Sequence, residues 1–408
     1  MTAPQISPLR SSTSKTLGCV ALIAGTTVGA GVLALPSVTF TTGVIPSTLL
    51  LLAIWGYTLI AGLLIAEVNM RYLRTTGRQA GLLGITEHFL GGGWCKVATL
   101  AFLFLHYALL VAYVSEGSTT LKLILAQTPL AQVPFSPEII LFVLFLGGLI
   151  YWGSRQLVAV VNTILVAGVI ATFVGLIGAI ATEANWSQLS LQDWTAATPT
   201  IPVILVALFY HNVIPVVTNR LEGDPRAVRI SLTLGSLIPL LMFLVWNGVV
   251  LCTVGPQAME LGVDPLELLR QKLANMQVSA LVTGFSLLAV TTSFIGVSYG
   301  LLNLFQDIWR DRPWLDASIG NGEAQRFSMN ALVFLPPIGL CSLNPDLFIS
   351  ALSYAGTFSV ATLYGLLPAV LAWRSRAADQ EDSPWVMGGR WSLGAMIGIG
   401  LSFVVLGL

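Results

Sequence analysis

Eleven apolar runs, most of them long enough to cross a membrane as a helix, follow one another along the chain with mostly short links between them. They cover residues 16–43, 46–71, 95–126, 137–153, 157–182, 198–219, 228–254, 279–306, 327–343, 347–373 and 391–408. A helix needs about 20 mostly apolar residues to cross the hydrocarbon core. Only hydrocarbon can solvate so many runs. The chain is 55% hydrophobic and 9% charged, where a soluble domain carries about 25% charged residues. The sequence therefore predicts an all-α integral membrane protein with about 11 transmembrane helices. No soluble domain fits between the runs, so residues 16–408 read as one transmembrane domain behind a short polar tail, 1–15. The first run is too long for a signal peptide and lacks a small-residue cleavage pattern.

The basic residues give the orientation. With the N-terminus inside, only Lys122, Arg270 and Lys272 of the 19 Lys and Arg residues fall in outer segments. A miscounted span would scramble that asymmetry, so it supports both the count and a cytoplasmic N-terminus. Trp94, Trp152, Trp186, Trp194 and Trp309 fall near run ends, as interfacial anchors do. No targeting peptide is seen, so a multi-pass protein of a bacterial inner membrane is expected.

Composition excludes several functions. Lys+Arg and Asp+Glu are both 19, so no net basic field exists to attract nucleic acid. Cys19, Cys95, Cys252 and Cys341 form no C-x-x-C pair, and the three histidines form no H-E-x-x-H motif. An enzyme is not expected. No P-loop or soluble domain could hold ATP for a pump, and no repeated filter motif marks a channel. The partners expected are a small-molecule substrate and membrane lipid; no surface motif specifies an oligomer.

Two runs are broken at mid-depth. In the first, Gly25-Thr26-Thr27-Val28-Gly29-Ala30-Gly31 interrupts an apolar helix. Glycine is costly inside a helix, and unwound backbone survives in a membrane only where it is buried or lines a cavity. A small-residue packing face would use the same glycines. The sixth run separates these readings, because Tyr210-His211-Asn212 falls mid-span with Pro215 three residues on. Proline removes a backbone donor and disfavours helix before it, and His and Asn are expensive in lipid. Paired breaks in corresponding runs point to an inverted-repeat transporter. The repeats would span about 16–182 and 198–373, with 391–408 as an extra helix. Free amides near Ala30, at the start of an outer half-helix, suit a carboxylate. Carbonyls freed at Gly25, Thr26, Phe209 and Tyr210 suit an ammonium or a metal cation. Together they fit the backbone of an amino acid.

These residues also carry a resemblance. Gly25-Thr-Thr-Val-Gly-Ala-Gly-Val-Leu-Ala-Leu-Pro36, Phe209-Tyr-His-Asn-Val-Ile-Pro215, Gly235-Ser-Leu-Ile-Pro239 with Trp246, and Thr292-Ser-Phe-Ile-Gly-Val-Ser-Tyr-Gly-Leu301 resemble the hydroxy and aromatic amino acid permease family. The likeness covers essentially the whole chain, in order. That family belongs to the amino acid–polyamine–organocation superfamily, so the resemblance implies a LeuT-like 5+5 inverted repeat and ion-coupled symport of a tyrosine-like amino acid. It implies a substrate site of Gly25, Thr26, Thr27, Gly29, Ala30 and Gly31 with Phe209, Tyr210, His211 and Asn212. It implies pocket walls from His106, Tyr107 or Tyr113 on the third helix and from Phe294 on the eighth. His106 and Tyr113, seven residues apart, share a helix face; Tyr107 and Tyr113 do not.

Thr292 and Ser293 resemble the sodium site of sodium-coupled relatives, which implies a cation held by the carbonyls of Gly25, Val28 and Ala289 and the two hydroxyls. Alternatively these hydroxyls bond only the preceding turn, and the coupling ion is a proton carried by Glu67, His106 or His211. The fifth helix has no lysine at 157–163 for that role. Glu67, one turn from Arg71, also reads as an ion pair, and Glu116 as an outer gate. Two further readings stay open: a symporter of another neutral amino acid, or a transport-inactive sensor on the same fold.

Overall fold

The computed structural model describes residues 13–126, 128–129, 136–190, 192–272, 276–310, 322–378, 385–386 and 388–406. Most of the polar tail therefore lies outside the described residues. The described chain is helical throughout, with no strand, and a lone bridge joins Gly43 to Gln192.

The first run is two helices, α1 (Thr13–Thr27) and α2 (Gly31–Thr39), bent by 50° at the break. Then come α3 (Val44–Thr76), a short α4 (Leu82–Leu90), α5 (Gly92–Leu125), α6 (Pro137–Trp152) and α7 (Arg155–Ile180). The sixth run is again two helices, α8 (Ile201–Ala207) and α9 (Ile214–Arg220). After it come α10 (Pro225–Leu261), a short α11 (Pro265–Lys272), α12 (Met276–Arg310) and α13 (Glu323–Leu343). One long helix follows, with α-helical ends α14 (Phe348–Tyr354) and α15 (Leu367–Ala378) around a π-helical middle, Ala355–Leu366. The last is α16 (Arg390–Leu406).

Eight helices among the described residues are long and apolar enough to cross a membrane, and the bent α1–α2 pair taken as one span makes nine. The protein is therefore a multi-pass membrane protein. Every expected run coincides with one of these helices or with the shorter apolar helices α6 and α16, of 16 and 17 residues.

Local chemistry sets the helix ends. Asp224 accepts the amides of Arg226 and Ala227 at the start of α10, next to Pro225 at the first helical position. Gly77, at φ 65°, and Gly262, at φ 63°, end α3 and α10 in the left-handed conformation that glycine adopts without strain.

The core wraps the two breaks. α1 packs on α10, α12 on α5 and α7, and α8 on the π-helical segment. Gly356 lets that segment reach the Pro202 backbone, because a Cβ there would overlap the Pro202 carbonyl. Near the ends of α3 and α15, Glu67 sits 2% exposed in a cage of donors. Arg376 reaches it through Nε and Nη2, both at 2.8 Å, Val386 donates its amide at 2.9 Å, and Arg71 lies 3.5 Å away. Removing one partner of a buried charged set costs about 3–5 kcal/mol. Glu67→Ala is therefore expected to lower the melting temperature of the detergent-solubilised protein by several degrees. An unchanged melting curve would contradict this assignment.

Candidate functional site

The two breaks leave backbone groups without helical partners. Val28 donates to Ala24 as the last regular bond of α1, and the next backbone bond is Val32 to Gly29. The carbonyls of Gly25, Thr26, Thr27 and Val28 accept no backbone amide. At the second break Val213 donates to Tyr210 at 3.2 Å, while the Phe209 carbonyl accepts none. The cause is the one expected: glycine-rich sequence in one run, and Pro215 after the other.

Between the breaks lies a cavity of about 570 Å³. From α1 it is lined by Ala21, Leu22, Gly25 and Thr26, with Val28 from the break itself. His106, Leu109 and Tyr113 line it from α5, and Asn162, Thr163 and Val166 from α7. Phe209, Asn212 and Val213 come from the second break, and Thr292, Ser293, Gly296 and Val297 from α12. This is an apolar chamber with a few polar groups, in the size range of small-molecule sites. A second cavity, of about 230 Å³, sits near Phe40, Gln192 and Met259, away from both breaks. No cluster of three or more His, Cys, Asp or Glu able to hold a metal occurs among the described residues.

Nine expected site residues meet in the cavity: Gly25, Thr26, Val28, His106, Tyr113, Phe209, Asn212, Thr292 and Ser293. The others lie around it. Thr27 is buried and bonds back to the Ile23 carbonyl at 2.8 Å, as Thr26 does to Leu22 at 2.7 Å. Gly29 lies against Ser293, and Gly31 against Ala207, where a Cβ would come within 2.8 Å of the Ala207 Cα. Ala30 donates its amide to Ser293 Oγ at 2.9 Å. Ala289 accepts the Thr292 hydroxyl at 2.9 Å.

Four aromatic residues face away from the cavity. The Tyr107 hydroxyl donates to the Leu332 carbonyl at 2.8 Å, so that ring belongs to the α5–α13 contact. Phe294 is fully buried, with Phe142 and Phe334 each 5.6 Å away. The cavity-facing residues of α12 are 292, 293, 296 and 297, and 294 points elsewhere at 3.6 residues per turn. Tyr210 stacks on His211, centroids 4.7 Å apart, and Tyr364 lies 5.2 Å from His211. His211 Nε2 is 2.9 Å from the Thr58 carbonyl of α3, so the imidazole ties the break to α3 from behind. Glu116 is half-buried on α5 within electrostatic reach of Arg270 on α11.

Asn162 and Thr163 are cavity residues that the sequence reading passed over. Gly168 lies under Leu288 and Gly175 under Leu281. This antiparallel register puts residues 162 and 163 level with 292–296. The signal was available: two adjacent polar residues in an apolar membrane helix are costly unless they face the interior.

Placement on α5 separates two variants. His106→Leu is expected to weaken the binding of a polar ligand in this cavity about tenfold, the worth of one buried polar contact. Tyr107→Phe should leave it within about twofold of wild type. Equal losses in both would contradict the assignment of faces.

The whole chain has similar proteins. The tryptophan-specific transport protein of Pseudomonas aeruginosa is 31% identical over 374 residues, covering 88% of this chain and 86% of that protein. Tyrosine-specific transport system 1 of Haemophilus influenzae is 29% identical over 397 residues, 95% of each chain. Glutamine transporter 2 of Aliivibrio fischeri is 26% identical over 404 residues, 96% of this chain and 98% of that protein. The model of the tryptophan/tyrosine permease family matches residues 12–406, and the chain belongs to that family.

Proposed function

We propose that the protein carries an aromatic, tyrosine-like amino acid across a bacterial inner membrane by ion-coupled symport with alternating access. The observation that carries this reading is the cavity at the two helix breaks. Next to the cavity, the amides of Gly29, Ala30 and Gly31 have no backbone partner and suit the carboxylate, and the cavity residues Gly25, Thr26 and Phe209 have free carbonyls that suit the ammonium. Phe209, Leu109, Val166 and Val297 supply apolar wall for a side chain.

In this reading α6 and α16 also cross, giving eleven spans. At 1.5 Å per residue they are a few ångströms short, a mismatch a bilayer accommodates at small cost. Two inverted repeats, 16–182 and 198–373, would form a LeuT-like core, with 391–408 added and the N-terminus cytoplasmic. The cavity-lining residues of α1 and α7 lie on the N-terminal side of the α1 break and in the first half of α7. Those halves are cytoplasmic in this orientation, so the cavity is the inward-facing route.

Sodium is the proposed coupling ion, held by the carbonyls of Gly25, Val28 and Ala289 with Thr292 and Ser293. Oxygen ligands of this kind suit a hard cation. Of the groups proposed as proton carriers, His211 faces Thr58 and Glu67 is caged by arginine, leaving His106 at the cavity.

A second reading, symport of another neutral amino acid, is favoured by the glutamine transporter relative. Competition against labelled tyrosine bound to the purified protein separates the two. Displacement by tyrosine and tryptophan but not glutamine is expected; displacement by glutamine at lower concentration would select the second.

A further inference from the structure

We propose that the Ser293 hydroxyl stands in for the substrate's carboxylate at the first helix break, and that its displacement couples substrate to cation. The proposal rests on the symport reading above and deepens it.

Ser293 bridges two helices. Its Oγ accepts the Ala30 amide at 2.9 Å, at the start of the outer half-helix α2. Its side chain also meets the Tyr113 hydroxyl and lines the cavity. Gly29 leaves the room this hydroxyl occupies, since a Cβ there would overlap Ser293 Oγ. One of the amides suited to a carboxylate is thus already bonded to a neutral oxygen of the protein.

A carboxylate competes well for that amide. Hydrogen bonds to an ionised acceptor are about twice as strong as neutral ones. A hydroxyl has one proton to donate and two lone pairs. Once the carboxylate takes the Ala30 amide, both lone pairs of Ser293 are free. Gly25 and Val28, whose carbonyls accept no backbone amide, line the same cavity. A cation held there withdraws electron density from the hydroxyl oxygen, which then accepts the amide more weakly and yields it more readily to a carboxylate. Each ligand thereby releases the group the other needs, so each strengthens the other's binding by the same factor. Thr292 lacks this double role, because its hydroxyl donates to Ala289 within its own helix.

The test is equilibrium binding of labelled tyrosine to the purified full chain, with sodium or choline as the only cation. Wild type should bind about tenfold more tightly in sodium. In Ser293→Ala the competitor for the amide is gone, so affinity in choline should rise about three- to tenfold above wild type, the worth of one hydrogen bond. The sodium effect should fall to about onefold. Ser293→Gly should repeat both changes. A residue that only ligates sodium would lose the sodium effect with no gain in choline, and that result overturns the proposal. So does a sodium effect that survives in both variants, or a wild type that binds equally in both solutions. A wild type that binds no tyrosine, tryptophan or glutamine in either solution removes the symport reading itself, and the proposal with it.

Discussion

Gly31→Ala is expected to bring uptake down to the level of empty vesicles while the protein still reaches the membrane. The Cβ it adds would lie 2.8 Å from the Cα and 3.1 Å from the Cβ of Ala207. Backbone cannot swing aside as a side-chain tip can, so α2 and α8 must part. Little around them can yield, since Val32, Leu33, Ala34 and Leu35 are all fully buried. Overpacking of this kind costs about 1–3 kcal/mol, which a fold worth about 5–15 kcal/mol survives. The site does not, because Gly31 and Ala207 are where the two broken runs meet. A displacement of about 1 Å among positioning groups costs on the order of 100-fold. Gly18→Ala, on α1 with nothing within 4 Å of the added carbon, is the matched control and should transport normally. Uptake by Gly31→Ala within about twofold of wild type would show that the breaks need no such contact.

Thr292→Ala combined with Ser293→Ala is expected to abolish the sodium dependence of uptake. The two hydroxyls are the side-chain oxygens of the proposed cation site, and both line the cavity beside the unbonded carbonyls of α1. Carbonyls alone leave a hard cation short of the six or so oxygens it prefers. The lost bonds, Thr292 to Ala289 and Ala30 to Ser293, are worth about 1 kcal/mol each, so the protein should still fold. A drop of about tenfold or more in sodium-stimulated uptake, with membrane level unchanged, is the expected result. Uptake as sodium-dependent as before would place the ion elsewhere, and a proton dependence in its stead would point to His106.

The spans were legible because an apolar run needs hydrocarbon whatever it packs against. The breaks were legible for a local reason too: glycines at 25, 29 and 31 and proline at 215 act on their own backbone. Spacing also told that His106 and Tyr113 share a face, and both line the cavity. What each aromatic faces was not legible. Tyr107, Phe294 and His211 are typical pocket residues by type, yet each packs against another helix. Their direction depends on partners distant in sequence. The same holds for Glu67, whose bidentate partner Arg376 is 309 positions away. The π-helical stretch at 355–366 contains no proline and gives no local sign of itself.

The central claim, that the broken-helix cavity carries an amino acid with an ion, is tested most directly by uptake of labelled tyrosine into proteoliposomes under an inward sodium gradient. Concentrative uptake that collapses with the gradient is the predicted result. Absence of uptake under sodium and under an inward proton gradient, for tyrosine, tryptophan and glutamine alike, would contradict it.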